Sequence, residues 1–253
     1  MYLSAHTVIS DCFILKDISV KGEFMKAAEA KERLEIAVTG TVAAQKIQKE
    51  GGAGEKPTEK TADKEAVQTL IANWLPMPKK AAEQTIAMYG SPNEALESRL
   101  IWYNNGPWKR TIVYRDEVLH NFPAPHTDVI EQFIDYAVPP EKFSEIAAFD
   151  GSVIVERTKG EVSARCDMEA ANILALNLMH DIVIGKCDAE KAREIYSEVT
   201  GAFVLNQSAP YAEVLQFDVP KGDTSDADIT PSPGPLMSEM TETVKAAIAG
   251  EKS

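Results

Sequence analysis

No strong catalytic signature runs through this sequence. It has no Gly-x-Ser-x-Gly elbow, no His-Glu-x-x-His helix, no Cys-x-x-Cys pair and no Gly-x-Gly-x-x-Gly dinucleotide fingerprint. The one glycine-rich stretch, Gly51 to Lys56, lacks the Gly-Lys-Ser/Thr ending of a phosphate loop. Cysteine is scarce: Cys12, Cys166 and Cys187 form no ligand-spaced pair, and an odd count makes a poor disulfide framework. Basic residues are in deficit, 26 Lys and Arg against 39 Asp and Glu, a net charge of −13. That balance excludes a general nucleic-acid surface, which needs clustered cations for phosphate. Long hydrophobic runs are missing too. The longest, Ile36 to Ala44, falls far below the roughly 20 residues of a bilayer-spanning helix, so no integral membrane segment is expected. The opening residues, Met1 to Asp17, lack a basic head, an apolar run and a small-residue cleavage site. The expected compartment is the cytoplasm, or the periplasm if the true start carries a signal peptide.

What remains is a chain with 44% hydrophobic residues, enough for a sizeable core. Residues 1–49 form an expected N-terminal helical arm, with a helix over Gly22 to Lys49, and 50–61 a flexible linker of Gly, Pro and charge without apolar anchors. Helical spacing of Val67, Leu70, Ile71 and Trp74 predicts a helix over Ala62 to Trp74, broken by Pro76 and Pro78. Another runs from Lys79 to Tyr89 and stops at Gly90. Arg99 to Tyr103 and Trp108 to Arg115 flank a turn at Asn105-Gly106, which sets Tyr103 near Trp108 and Trp102 near Lys109. Asp128 to Val138 alternates as a strand, and Pro139-Pro140 opens a short helix through Phe149. A second hairpin spans Ser152 to Cys166. Asp167 caps a helix to Ile184 that is apolar on nearly every side, the expected buried spine. Asp188 caps another through Phe203, and Tyr211 to Val219 is a last strand. Residues 220–253 form an acidic, disordered link and a short C-terminal helix. Hairpin-joined strands imply an antiparallel sheet with helices mainly on one face, an α+β domain over 62–219.

Four groups of residues carry candidate chemistry. Trp102 and Trp108 offer an aromatic ligand platform, or simply cross-strand hairpin packing. Asp116, Glu117, His120, His126, Asp128 and Glu131 fall within sixteen residues, around a loop stiffened by Pro123 and Pro125. Imidazole beside carboxylate suits a divalent transition metal, with His120, His126, Asp116 and Asp128 as ligands, provided the loop bends back. Cys166, just before a helix start and beside Arg165, is a candidate reactive thiol, with Glu156 placed opposite Ser163 as a neighbour. Asn177, His180 and Asp181 share one side of the spine helix and line a pocket or bond neighbouring loops.

The run WYNNGPWKRTIVYRDEVLHNFPAPHTDVIEQFIDY, with FDGSVIVERTKGEVSARCD and NLMHDIVIGK, resembles a family of uncharacterised bacterial proteins over about Ala62 to Val219; the resemblance implies no activity. The pattern Tyr89-Gly90-Ser91-Pro92 followed by Ile101-Trp102-Tyr103 is similar to BamE-type outer-membrane assembly lipoproteins over about residues 79–108, and implies two helices packed on an antiparallel sheet. The expected function is that of a soluble binding or scaffold protein, with a protein partner or self-association. The alternative is a metal-dependent, hydrolase-like enzyme using His120 and His126, and a further one a thiol-reactive protein acting through Cys166.

Overall fold

The computed structural model describes residues 27–52 and 54–250, which fall into two compact units. The larger, Gly54–Ile229, is an α+β domain built on a six-stranded antiparallel sheet. Its strands are β1 (Glu94–Leu96), β2 (Arg99–Asn105), β3 (Trp108–His120), β4 (His126–Asp135), β5 (Val153–Glu156) and β6 (Glu161–Cys166), in the order β1-β2-β3-β4-β6-β5.

The first hairpin turns on Gly106-Pro107. Gly106 takes φ +70°, which a glycine adopts without a steric penalty, and Pro107 has no N–H to pair. Asn105 therefore faces Trp108, Tyr103 faces Arg110 and Trp102 faces Thr111, two residues off the expected register. The β5–β6 turn takes four residues, so Glu156 faces Glu161, and Ile154 rather than Glu156 lies opposite Ser163.

Helix α1 (Ala27–Glu50) belongs to the smaller unit. Helix α2 (Lys64–Ile71) is capped by Asp63, whose carboxylate accepts from the Ala66 N–H at 2.9 Å, and buries Val67 and Ile71. Helix α3 (Pro76–Tyr89) starts on the prolines expected to end a helix. At the first turn a missing N–H costs nothing, and the fixed φ is already helical. Helix α4 (Phe143–Phe149) follows a short 3₁₀ turn at Pro140–Lys142. Helix α5 (Glu169–Val183) is buried without a break from Asn172 to Met179, as a spine packed on β4 and β6. Its N-cap is Met168, not Asp167. Helix α6 (Ala189–Val204) is capped by Asp188 as expected.

No strand forms over Tyr211 to Val219. Pro210 starts the short helix α7 (Pro210–Glu213), and Asn177 of α5 pins that helix and the residues just after it. Its amide N–H groups donate to the carbonyls of Tyr211 and Val214, and its oxygen accepts from the Gln216 N–H. The stretches 54–61 and 220–229, expected as flexible links, are bonded to the domain. Glu55 pairs with Arg110 at 2.9 Å, and the Asn93 side chain donates to the Thr58 and Lys60 carbonyls. Asp226 and Asp228 pair with Arg157, and the Thr224 hydroxyl donates to the Gly160 carbonyl.

The smaller unit pairs α1 with α8 (Pro235–Gly250), burying Val38 and Val244. The first residues of the helix expected from Gly22, together with Cys12, lie outside the described residues. No described helix is long and apolar enough to cross a membrane.

Candidate metal centre

Strand pairing explains how two histidines six residues apart come together. His120 ends β3, His126 begins β4, and the two are direct cross-strand partners across the Asn121–Pro125 loop. Side chains directly opposite in an antiparallel pair share a face, so the imidazoles meet with ring centroids 4.9 Å apart. Asp128 is two residues beyond His126 and shares that face by the period of the strand. The pairing from there to the turn is regular, with Val118 facing Asp128; the irregularity lies beyond it, where β3 spends four residues between Val113 and Val118 and β4 one between Ile130 and Asp128. The neighbouring strand adds Cys166, opposite Ile130 on β6.

Asp128 is 3% exposed, and its Oδ1 lies 3.3 Å from both His120 Nδ1 and His126 Nε2. Ligand atoms of the three residues all fall within 4.8 Å of one another. Nitrogen and oxygen atoms bound tetrahedrally at zinc distances are separated by roughly 3.3 Å, so the observed edges fit such a sphere.

The proton positions agree with this. His126 Nδ1 lies 2.8 Å from the Ala124 carbonyl oxygen, which can only accept, so Nδ1 carries the proton. A bare Nε2 would then turn its lone pair toward the Asp128 carboxylate. A second proton or a metal ion between them would relieve that contact. As a proton site, bonds to Asp128 and then to Cys166 outweigh burial and push the imidazole pKa up to about 11.

The outer nitrogens of both rings face acceptors, the side on which metal-ligating histidines are usually hydrogen-bonded. For His126 the acceptor is the Ala124 carbonyl. For His120 it is Asp150, whose Oδ1 lies 3.7 Å from Nε2, a charge-pair distance rather than a hydrogen bond. Asp150 is itself buried and fixed by the Ser152 N–H and hydroxyl. Arg165 Nε stands 3.9 Å from the second Asp128 oxygen.

Cys166 Sγ sits 3.2 Å from His126 Nε2 and 3.9 Å from the Tyr196 hydroxyl. Burial pushes its thiol pKa up, and Asp167 adds to that while His126 opposes it. His126 and Cys166 also form part of the wall of a pocket of about 230 Å³ between the Pro123–Pro125 loop, α5 and α6.

The other expected site residues lie elsewhere. Asp116 is exposed and paired with its neighbour Arg115, outside the histidine cluster. Glu156 is on the surface with Lys159. Trp102 and Trp108 are buried, their indole N–H groups donating to the Gly90 carbonyl and to Glu169. Asn177 clamps α7 and the residues after it. His180 meets the Tyr136 hydroxyl at 2.7 Å and stacks on Phe217, and Asp181 accepts from Lys186 and Tyr211. Sequence reading missed Asp150 and the contact of Cys166 with His126. Both are long-range pairings, invisible to spacing along the chain; the only sequence signal was the placement of Cys166 at a strand end. No protein-family model, curated protein or solved structure matches the chain.

Proposed function

We propose that this protein holds a divalent transition metal at His120, His126 and Asp128 and uses it in hydrolytic chemistry on a small molecule. The observation that carries the reading is one carboxylate oxygen 3.3 Å from the inward nitrogens of two imidazoles. Two nitrogens and one oxygen make a donor set suited to zinc or a neighbouring first-row metal, and three protein ligands leave a coordination position for water or substrate. A metal so held polarises a carbonyl and lowers the pKa of bound water. Hydrolysis then balances simply: water oxygen joins the electrophilic carbon, the bond to the leaving group breaks, and the leaving group departs with a proton.

The contact of Cys166 with His126 supports a second reading, a thiol nucleophile with an imidazole base. The two compete for the same nitrogen, because His126 Nε2 cannot ligate a metal and accept the thiol proton together. The raised thiol pKa weighs against the nucleophile.

Metal analysis of protein purified without a tag decides between them. The metal reading expects about one zinc-like ion per chain, lost in His126→Ala, and a melting temperature lowered by a chelator. Protein that takes up no added zinc, with a melting temperature indifferent to zinc and chelator alike, would return the chain to a binding or scaffold role. Rapid alkylation of Cys166 in that metal-free protein would favour the thiol.

A further inference from the structure

We infer that the molecule served by this site is small, with a short, uncharged hydrocarbon or aryl group that enters the pocket beside His126. The inference rests on the metal reading for its polar end; its apolar end stands on the pocket itself.

The pocket wall is mostly apolar: Pro123, Pro125, Ala171, Leu174, Phe203 and Val204 supply much of it. Three of its polar residues meet at one end, where His126 Nε2 lies 3.2 Å and the Tyr196 hydroxyl 3.9 Å from Cys166 Sγ. An apolar chamber with a few convergent polar groups is the usual form of a small-molecule site. Its volume of about 230 Å³ is below the roughly 300–1,000 Å³ of drug-sized pockets, so the part of a molecule lodged within it is a short chain or a single ring.

Charge narrows the class further. None of the fifteen residues lining the pocket is Lys or Arg, whereas Asp167 is among them. Away from His126 and Asp167 at the polar end, a carboxylate or phosphate tail would meet no Lys or Arg in the wall. An uncharged hydrocarbon or aryl tail meets no such objection. His126 belongs both to this wall and to the histidine–aspartate cluster, so a molecule lodged in the pocket has its polar end next to the metal position. Phe122 and Tyr196 pack with ring centroids 5.0 Å apart, and Arg193 stacks on Phe122 at 3.7 Å, which ties the loop carrying Pro123 to α6.

Straight-chain primary amides and hydroxamic acids of increasing length test this by calorimetric titration of the full chain, zinc-loaded and chelator-stripped. Amide affinity should rise by about three- to fourfold per added methylene until the pocket is full, with or without zinc. Hydroxamates should gain a further increment only with zinc. Ala171→Trp should abolish the dependence on length while leaving zinc content unchanged. Phe203→Ala, at a partly buried position, should move the optimum to longer chains, which keeps the pocket testable if the tryptophan variant fails to fold. Affinity indifferent to chain length in both forms of the wild-type protein overturns the inference, whether or not zinc binds. A length dependence that persists in protein unable to bind zinc leaves the pocket standing and removes the metal reading instead.

Discussion

Glu161 is 3% exposed yet stays ionised, because Arg110 donates to it at 2.7 Å and Lys109 approaches at 2.8 Å. Burial raises its pKa, but those two cations more than reverse the effect and hold the carboxyl below its ordinary value. A folded-state pKa below the unfolded value stabilises the fold above the unfolded pKa, about 4.3, and that contribution is lost as pH falls through the folded value. Urea unfolding as a function of pH should therefore show stability falling below about pH 4, with a shallower fall in Glu161→Gln. At neutral pH the variant should lose less than the roughly 3–5 kcal/mol of a fully broken buried pair. Arg110 keeps Glu55 and the Phe133 ring, and Lys109 keeps Asp135. An unchanged acid profile in the variant would mean that the pair contributes nothing to acid sensitivity. The sequence showed which residue types were present around His120, His126 and Asp128, but left their meeting to a bend at Pro123 and Pro125, because the extension of β3 to His120 was not read. It held no hint of Glu161 with Arg110, of Asp150 with His120 or of Cys166 with His126, since partners 30 to 51 residues apart are brought together by the tertiary fold and leave no spacing along the chain.

At the scale of elements, α5 was legible because a helix apolar on nearly every side has to be buried. Leu178 is 0% exposed within it, so Leu178→Ala should cost about 2–5 kcal/mol through the cavity left behind. Chemical denaturation with a loss below about half a kcal/mol would show that the helix does not carry the core. Strand identity was legible too, from alternation and glycine turns, but register was not. Pro107 shortened one turn and Arg157–Gly160 lengthened another, moving Trp102 away from Lys109 and Glu156 away from Ser163. The three-residue β1 was too short to leave a period. The expected strand after Tyr211 failed because Pro210 favours a helical start and Asn177 supplies the bonds that a sheet neighbour would have given.

The whole molecule divides at Gly54 and Ile229 rather than at 62 and 219. Composition marked both flanking stretches as polar and turn-rich, which is true. It could not register that Glu55, Asn93, Arg157 and Thr224 bond those stretches to the larger unit. Brief proteolysis should accordingly cut near Gly51–Gly54 and Thr230–Gly234 and release a resistant fragment of about 54–229, identifiable by intact mass. Early cleavage between Thr58 and Ala62, or within 220–228, would show that these bonds do not hold. The same fragment should retain the histidine–aspartate cluster, since its elements all belong to the larger unit.

X-ray absorption at the metal edge of protein loaded with one equivalent of zinc reads the coordination sphere at His120, His126 and Asp128 itself. A metal centre at these residues gives two imidazole nitrogens and at least one carboxylate oxygen at about 2.0–2.2 Å, with the imidazole signal weakened in His120→Ala. Zinc surrounded by oxygen alone, or a spectrum unchanged by His120→Ala and His126→Ala, would contradict it.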